Sequence, residues 1–245
     1  MQPTALMRAT EPIYHIGAAY YFEAATVERG KQAGLDGFRF YFLGRGGVLG
    51  DVEADVVRAA FGYFEPSLLA KMWNTAKERV EVSPRDVARL YMDCAHEYGR
   101  TKLTGIDGLT EFAAAAGKVI AAVEGASMPL FAAFRAEPVP EDPPAAAMHQ
   151  AVVLREMRGS AHLLAIAAVG LSSAVAHAIK RPNDVQLFGY TAELAPTVTD
   201  ADRGAWERAE ALTDTLLAPA YEALTAAEAD ALVTGTAAMA AAIAT

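Results

Sequence analysis

The sequence has little cysteine, little basic charge and few alternating apolar patterns. Its one cysteine, Cys94, excludes an internal disulfide framework and is typical of a reducing compartment. Lys and Arg number 21 against 30 Asp and Glu, and the resulting net charge of −9 argues against a broad nucleic-acid surface. Val and Ile are scattered and seldom alternate with polar residues, which disfavours strands. Neither a secreted disulfide protein nor a sheet protein is expected.

The N-terminal residues lack the charged-then-apolar layout of a signal peptide, so we expect a cytoplasmic protein. Residues 159–179 contain no Asp, Glu, Lys or Arg and are long enough to cross a membrane. The segment also holds His162, Ser172, His177 and much alanine, which favours a buried pair of helices over a membrane span. No membrane partner is predicted.

The abundant residue types predict an all-α fold. Hydrophobic residues make up 53% of the 245 residues, and alanine, the best helix former, dominates them. Residues 137–144, EPVPEDPP, hold four of the twelve prolines and form the best boundary in the chain. We therefore predict an N-terminal helical lobe over 1–136 and a C-terminal lobe over 145–245, packed as one body and dimerising through the C-terminal helices.

Local signals place the helices within these lobes. Pro12 opens a helix predicted to run to about residue 28, and an aromatic helix, FRFYFLG, precedes a glycine-rich turn over 44–50. Ser83 and the capping boxes at Thr199 and Thr225 begin three further helices. A long helix over 145–169 ends at Gly170, and Ser172 caps the next one.

The stretch 154–179 is the most apolar part of the chain, yet it carries cationic and imidazole side chains. Arg155, Arg158 and His162 stand at i, i+3 and i+7 and so share one face of a helix. Buried polar groups need partners, because burying them alone costs roughly 2–7 kcal/mol each. Two interpretations stay open: an ion-pair network with Glu11, Glu23 or Asp51 as partners, or the polar end of a ligand cavity.

Other chemical motifs are weak. Gly44, Gly46 and Gly47 lack the third glycine of a dinucleotide fingerprint, because Leu49 occupies its place, and no strand precedes them. Cys94 and His96 lie about 200° apart on a helix and do not converge. Glu11 and His15 form an i,i+4 pair that suits either an ordinary surface pair or a group that binds a metal or shuttles protons. No metal site and no cofactor are predicted, since no cluster has the required spacing.

We expect a cavity in the interior that binds an aromatic or polyketide-like small molecule. Its predicted lining is Tyr14, Tyr20, Tyr41, Phe42, Arg45, Phe61, Phe64, Arg155 and Arg158. The protein would be a binding protein or a cofactor-free enzyme of secondary metabolism. In the enzyme, Glu23 or His162 would be the general base, and Arg45 with Arg158 would stabilise developing negative charge.

Four segments resemble a little-characterised actinobacterial family described as helix-turn-helix or MarR-like proteins. They are EPIYHIGAAYYFEAA, GLDGFRFYFLGRGGVLGDVEADVVRAAFGYFEP, LREMRGSAHLLAIAAVGL and ALTDTLLAPAYEALTAAEADAL. Together they cover more than a third of the chain. The resemblance implies that the following residues occupy motif positions of the family: Glu23, Tyr41, Arg45, Gly50, Phe64, Pro66, Arg155, Arg158, Gly159 and His162. It implies a winged-helix-like C-terminal part and, as the alternative function, a dimeric transcriptional regulator.

The chain departs from that family where a DNA reader is expected. Relatives place a recognition helix and wing between the third and fourth segments, but here residues 181–204 are short and proline-interrupted. They hold only Arg181 and Arg203 against several acids. Because a major-groove reader needs basic and amide side chains on an exposed helix, the recognition segment is interpreted as degenerate and DNA is not expected as a partner.

Overall fold

The computed structural model describes residues 2–244, which fold into helices and the loops between them, without a strand in that range. The all-α prediction is therefore confirmed. The helices are α1 (Pro3–Ala9), α2 (Ile13–Ile16), α3 (Ala24–Gln32), α4 (Gly37–Gly46), α5 (Ala54–Phe61), α6 (Pro66–Lys77), α7 (Pro84–Leu103), α8 (Leu109–Ala122), α9 (Pro129–Arg135), α10 (Pro143–Ala168), α11 (Ser173–Lys180), α12 (Asp200–Glu222) and α13 (Ala226–Ile243). A 3₁₀ turn, Gly47–Leu49, follows α4.

Helix starts follow the capping residues of the sequence. The side chains of Ser83 and Ser172 accept hydrogen bonds from backbone amides at the starts of α7 and α11. Thr199 and Thr225 form complete capping boxes at the starts of α12 and α13. Each cap satisfies amides that have no partner within the helix, so these four predicted starts are confirmed.

Helix α10 is the centre of the fold. It packs against α2, α7, α8, α9 and α12. Residues 145–154 are all buried, so this part of the helix is enclosed by other elements on every side. The main core includes residues from both sides of the proline-rich segment 137–144. The division into two lobes at that segment stays a prediction.

The apolar stretch 154–179 is a pair of helices, as expected. Gly170, with φ of 74°, follows α10, and the chain bends by 117° before α11. Among the described residues, α13 is the one unbroken helix that is long enough and apolar enough to cross a membrane. Its Leu232 and Met239 are buried in the main core, and it packs against α8.

The prediction of one long helix from Pro12 to about residue 28 is wrong. The chain forms the short α2, a series of turns over 17–22, and then α3. A side chain at Gly17 would come within 2.6 Å of the Ala151 carbonyl oxygen, because α2 lies directly on α10. The turns that follow bury the consecutive Tyr20 and Tyr21, whose side chains would diverge by about 100° on a continuous helix.

The predicted glycine turn over 44–50 is also wrong for most of its length. Gly44 and Gly46 lie inside α4, and only Gly50, with φ of 88°, has turn geometry. A Cβ atom at Gly44 would lie 2.4 Å from Cγ of Tyr91, so the missing side chain allows α7 to approach α4. Arg45 is consequently held on a buried helix and not on a loop.

Candidate functional site

A cavity of about 1050 Å³ lies between α2, α4, α10, α11 and α12 and the segment that joins α11 to α12. Its lining is mostly aromatic and charged. Nine of the predicted site residues line it: Glu23, Tyr14, Tyr41, Arg45, Phe61, Phe64, Arg155, Arg158 and His162. Tyr20 and Phe42 do not. Both are fully buried behind the lining, where Tyr20 packs on Tyr91.

Glu156 organises the charged wall of the cavity. Its Oε1 accepts hydrogen bonds from Arg45 Nε at 3.0 Å, Arg155 Nη1 at 2.7 Å and the Tyr21 hydroxyl at 3.1 Å. Its Oε2 accepts from Arg45 Nη2 at 2.7 Å. Burial alone would raise the pKa of Glu156, but the two guanidiniums outweigh burial and hold that pKa at about 2. One carboxylate thus faces two buried cations, which leaves an excess of positive charge.

The positive charge lies close to Tyr14, on the aromatic side of the cavity. The guanidinium carbon of Arg155 lies 5.0 Å from the ring centres of both Tyr14 and Tyr21. That of Arg181 lies 5.8 Å from the Tyr14 ring. Burial would raise the pKa of the Tyr14 hydroxyl, but Arg155 and Arg181 outweigh it and lower the pKa. This end of the cavity therefore favours negative charge.

Arg158 has partners that the sequence did not indicate. Its Nη2 donates to Glu210 at 2.7 Å and its Nη1 to Asp214 at 3.3 Å, both on α12. The predicted partners were wrong. Asp51 pairs with Lys77, whereas Glu11 and Glu23 are exposed at the cavity.

His162 is held in one orientation by α12. Its Nδ1 lies 2.9 Å from the Thr213 hydroxyl oxygen, and that hydroxyl donates to the Ala209 carbonyl at 2.7 Å. The hydroxyl has one proton, so Nδ1 must be the donor to Thr213. Burial lowers the pKa of His162. The neutral ring therefore has its lone pair on Nε2.

Three residues of the cavity lining each have a buried nitrogen atom without a hydrogen-bond partner. These atoms are Arg155 Nε, His162 Nε2 and His177 Nε2. Burial lowers the pKa of His177 to about 4, so this ring is neutral near pH 7. The two interpretations of the arginines both have support: they form ion pairs, and a void lies beside them.

Sequence reasoning missed Glu156 and His177. Glu156 is adjacent to Arg155 in the sequence, but its strongest partner, Arg45, is 111 residues away. His177 lies in α11, beyond the turn that ends α10. The ring of His177 is tilted by 32° against the ring of Phe188, with the ring centres 3.8 Å apart, and Phe188 lies in the irregular segment after α11. Only the 117° bend between α10 and α11 brings this histidine to the cavity.

A second histidine pair lies outside the cavity. His96 Nε2 on α7 is 3.1 Å from His149 Nδ1 on α10, and the rings are stacked. Burial lowers the pKa of both, that of His149 to about 4. Asp93 lies 3.7 Å from His96 Nδ1. Within residues 2–244 no three His, Cys, Asp or Glu side chains are grouped to hold a metal.

The geometry of α10 and α11 matches a known motif. Two helices that cross at about 90–120° and are joined by a short turn with a glycine form a helix-turn-helix. Here the bend is 117° and the turn is residues 169–172, which include Gly170. Residues 4–194 match the sequence pattern of the helix-turn-helix family. The chain belongs to this helix-turn-helix family.

The family match covers most of the chain and includes the cavity-lining part of α10 and all of α11. No curated protein and no solved structure matches the chain. For this helix-turn-helix protein the actinobacterial origin and the degenerate recognition segment stay predictions.

Proposed function

We propose that this helix-turn-helix protein binds an aromatic small molecule in the cavity beside α10. The observation that carries the proposal is the set of unpartnered nitrogen atoms of Arg155, His162 and His177. A buried polar group without a partner costs about 1–3 kcal/mol. A ligand that pairs with these groups removes that cost, whereas an ion-pair network alone leaves it in place.

Size and charge support the same proposal. The volume of about 1050 Å³ is at the upper end of ordinary ligand sites, which span roughly 300–1,000 Å³. The lining has six Lys or Arg and five Asp or Glu side chains, although acids exceed bases by 30 to 21 in the whole chain. The lining thus lacks the acidic excess of the whole chain, and the buried guanidiniums of Arg45 and Arg155 suit an acidic or carbonyl-bearing aromatic compound.

In the enzymatic form of the proposal the ligand is a substrate of cofactor-free acid–base chemistry in secondary metabolism. His162 suits the role of general base better than Glu23. Its Nε2 lone pair is buried and unpartnered, while Glu23 is exposed at the start of α3. Binding without turnover is the simpler form, and both need an occupied cavity.

The alternative is a DNA-binding regulator, which the family and the geometry of α10 and α11 favour. The second helix of the motif, SAVAHAIK, has Lys180 as its one Lys or Arg, and its Ala176 and His177 line the cavity. Base reading needs exposed Arg, Lys, Asn or Gln side chains. We propose that α11 serves the cavity and that the recognition segment over 181–204 is degenerate.

The decisive experiment combines native mass spectrometry of the purified full chain with thermal shifts against a panel of aromatic acids, phenols and polyketides. Gly159 in α10 lines the cavity and has open space where a side chain would project, so Gly159→Phe should fill the site. Ala167→Phe, at an exposed position on the same helix, is the matched control.

We expect a co-purified molecule or a ligand that raises Tm by roughly 5–10 °C at a hundredfold excess over Kd. The shift should persist in Ala167→Phe and be lost in Gly159→Phe. An equal shift in both variants, or no ligand at all, contradicts the proposal. Fluorescence anisotropy with duplex DNA tests the alternative. For a DNA-binding regulator the logarithm of the binding constant falls linearly with the logarithm of the salt concentration.

A further inference from the structure

The His162 end of the cavity accepts hydrogen bonds. Because Nδ1 donates to Thr213, Nε2 presents a lone pair with no protein partner. Oε1 of Glu210 lies 3.9 Å from Nε2, too far for a hydrogen bond, and Oε2 of the same carboxylate is bonded to Arg158. A ligand group here faces two acceptors. An O–H group fits, and an ether oxygen or a carboxylate is disfavoured.

The Arg155 end donates hydrogen bonds and carries positive charge. Nε of Arg155 has no acceptor, and the guanidinium shares the Glu156 carboxylate with Arg45. Arg181 and the ring of Tyr14 complete this end. The nearest carboxylate already accepts from four donors, so the remaining N–H needs another acceptor. A ligand carboxylate supplies the charge and the acceptor.

The helix sets the distance between the two ends. Arg155 and His162 are seven residues apart on α10, which corresponds to about 10 Å along the axis. Aromatic rings flank both ends, Tyr14 against Arg155 and Trp206 edge-on to His162 at 4.8 Å. A flat molecule lying along α10 would contact both rings.

We infer that the ligand is an elongated hydroxylated aromatic acid, with its hydroxyl donating to His162 Nε2 and its carboxylate accepting from Arg155 Nε. This inference rests on the proposed small-molecule function and adds the class and direction of the ligand. It also assigns Thr213 as a positioning residue, since Thr213 keeps the lone pair of His162 on Nε2.

Three rod-shaped probes test the two ends by isothermal titration calorimetry. The full probe is 4′-hydroxybiphenyl-4-carboxylic acid. The 4′-methoxy acid lacks the donor, and 4-hydroxybiphenyl lacks the acid. With the unmodified protein we expect the full probe to bind at least about tenfold more tightly than either partial probe, because each end loses a hydrogen bond to a buried group.

Variants assign each preference to its residue. His162→Phe should remove the preference for hydroxyl over methoxy and keep the preference for the acid, and Arg155→Met should do the reverse. Thr213→Val, which keeps the imidazole but not its orientation, should weaken the hydroxyl preference at least threefold with the acid preference intact. Ala167→Phe, at an exposed position of α10 outside the lining, is the control and should leave both preferences unchanged.

Equal affinity for the three probes, or preferences that survive in the variants, overturns the inference. Failure of the probes while other aromatic compounds still bind overturns the inference alone and leaves the proposed function standing. Failure of every compound, in the absence of a co-purified molecule, overturns both.

Discussion

At the scale of single residues, one carboxylate determines the charge of the site. Glu156 is 1% exposed and accepts hydrogen bonds from two guanidiniums and a phenol, so its low pKa of about 2 keeps it ionised across the physiological range. The cations it holds come from α4 and from its own helix. Burying either cation without this anion would cost several kcal/mol.

Replacing this anion should therefore be costly. Glu156→Gln leaves Arg45 and Arg155 buried without a counter-charge, and we expect the free energy of unfolding in urea to fall by about 3–5 kcal/mol. The matched control is Glu210→Gln, whose pair with Arg158 is about one-third exposed and should lose less than about 1 kcal/mol. Equal losses in the two variants would show that burial does not distinguish the pairs.

Part of this site was predictable because helical spacing is local. Positions i, i+3 and i+7 place Arg155, Arg158 and His162 on one face whatever surrounds the helix, and the structure has all three in the cavity lining. Their partners were not predictable, since Glu210 and Asp214 come from a helix that begins more than thirty residues later, at Asp200. Pairing through space depends on how helices cross, which spacing within one helix does not encode.

At the scale of helices, the caps were predictable and the glycines were not. A capping side chain bonds to amides two or three residues away, so Ser83, Thr199 and Thr225 give the helix starts from sequence alone. Gly44 is different. Glycine costs a helix about 0.5–1 kcal/mol relative to alanine, which locally favours a turn. The contact with Tyr91 on α7 overrides that preference.

This contact makes a prediction about α4. A methyl group in Gly44→Ala would meet Tyr91 Cγ at 2.4 Å, and we expect overpacking to lower the free energy of unfolding by about 1–3 kcal/mol. Gly204→Ala in α12 is the control. Its nearest atom would be Arg208 Nη1 at 3.6 Å, so the better helix propensity should raise stability by up to about 1 kcal/mol. A stabilised Gly44→Ala protein would mean that α4 and α7 are less closely packed than described.

At the scale of the whole molecule, buried neutral histidines tie the central helices together. His149 on α10 contacts His96 on α7, and His162 on α10 contacts Thr213 on α12. His177 reaches the cavity from α11. All four rings have pKa values lowered by burial. Protonating any of them places a charge between helices that pack together.

These histidines should make stability depend on pH in a defined window. Their pKa values are lowered from 6.5, to about 4 for His149 and His177, so the unfolded chain binds more protons than the folded one between these limits. Stability then rises with pH and is lost as pH falls from about 6.5 to 4. For His149, which is 1% exposed, the shift corresponds to at most about 3 kcal/mol.

Urea denaturation at several pH values measures this dependence. The variant His149→Gln isolates the contribution of His149. The glutamine amide does not titrate and can still hydrogen-bond to His96, so the variant should lose less stability than the unmodified protein between pH 6.5 and 4.5. The exposed His15→Gln should follow the unmodified protein.

Carboxylates with lowered pKa values, such as Glu156 and Glu228, affect stability mainly below that pH window, because their pKa values in the unfolded chain are near 4.5. A flat stability curve above pH 4.5 would therefore mean that the buried imidazoles accept protons without disturbing the packing of α7, α10 and α11.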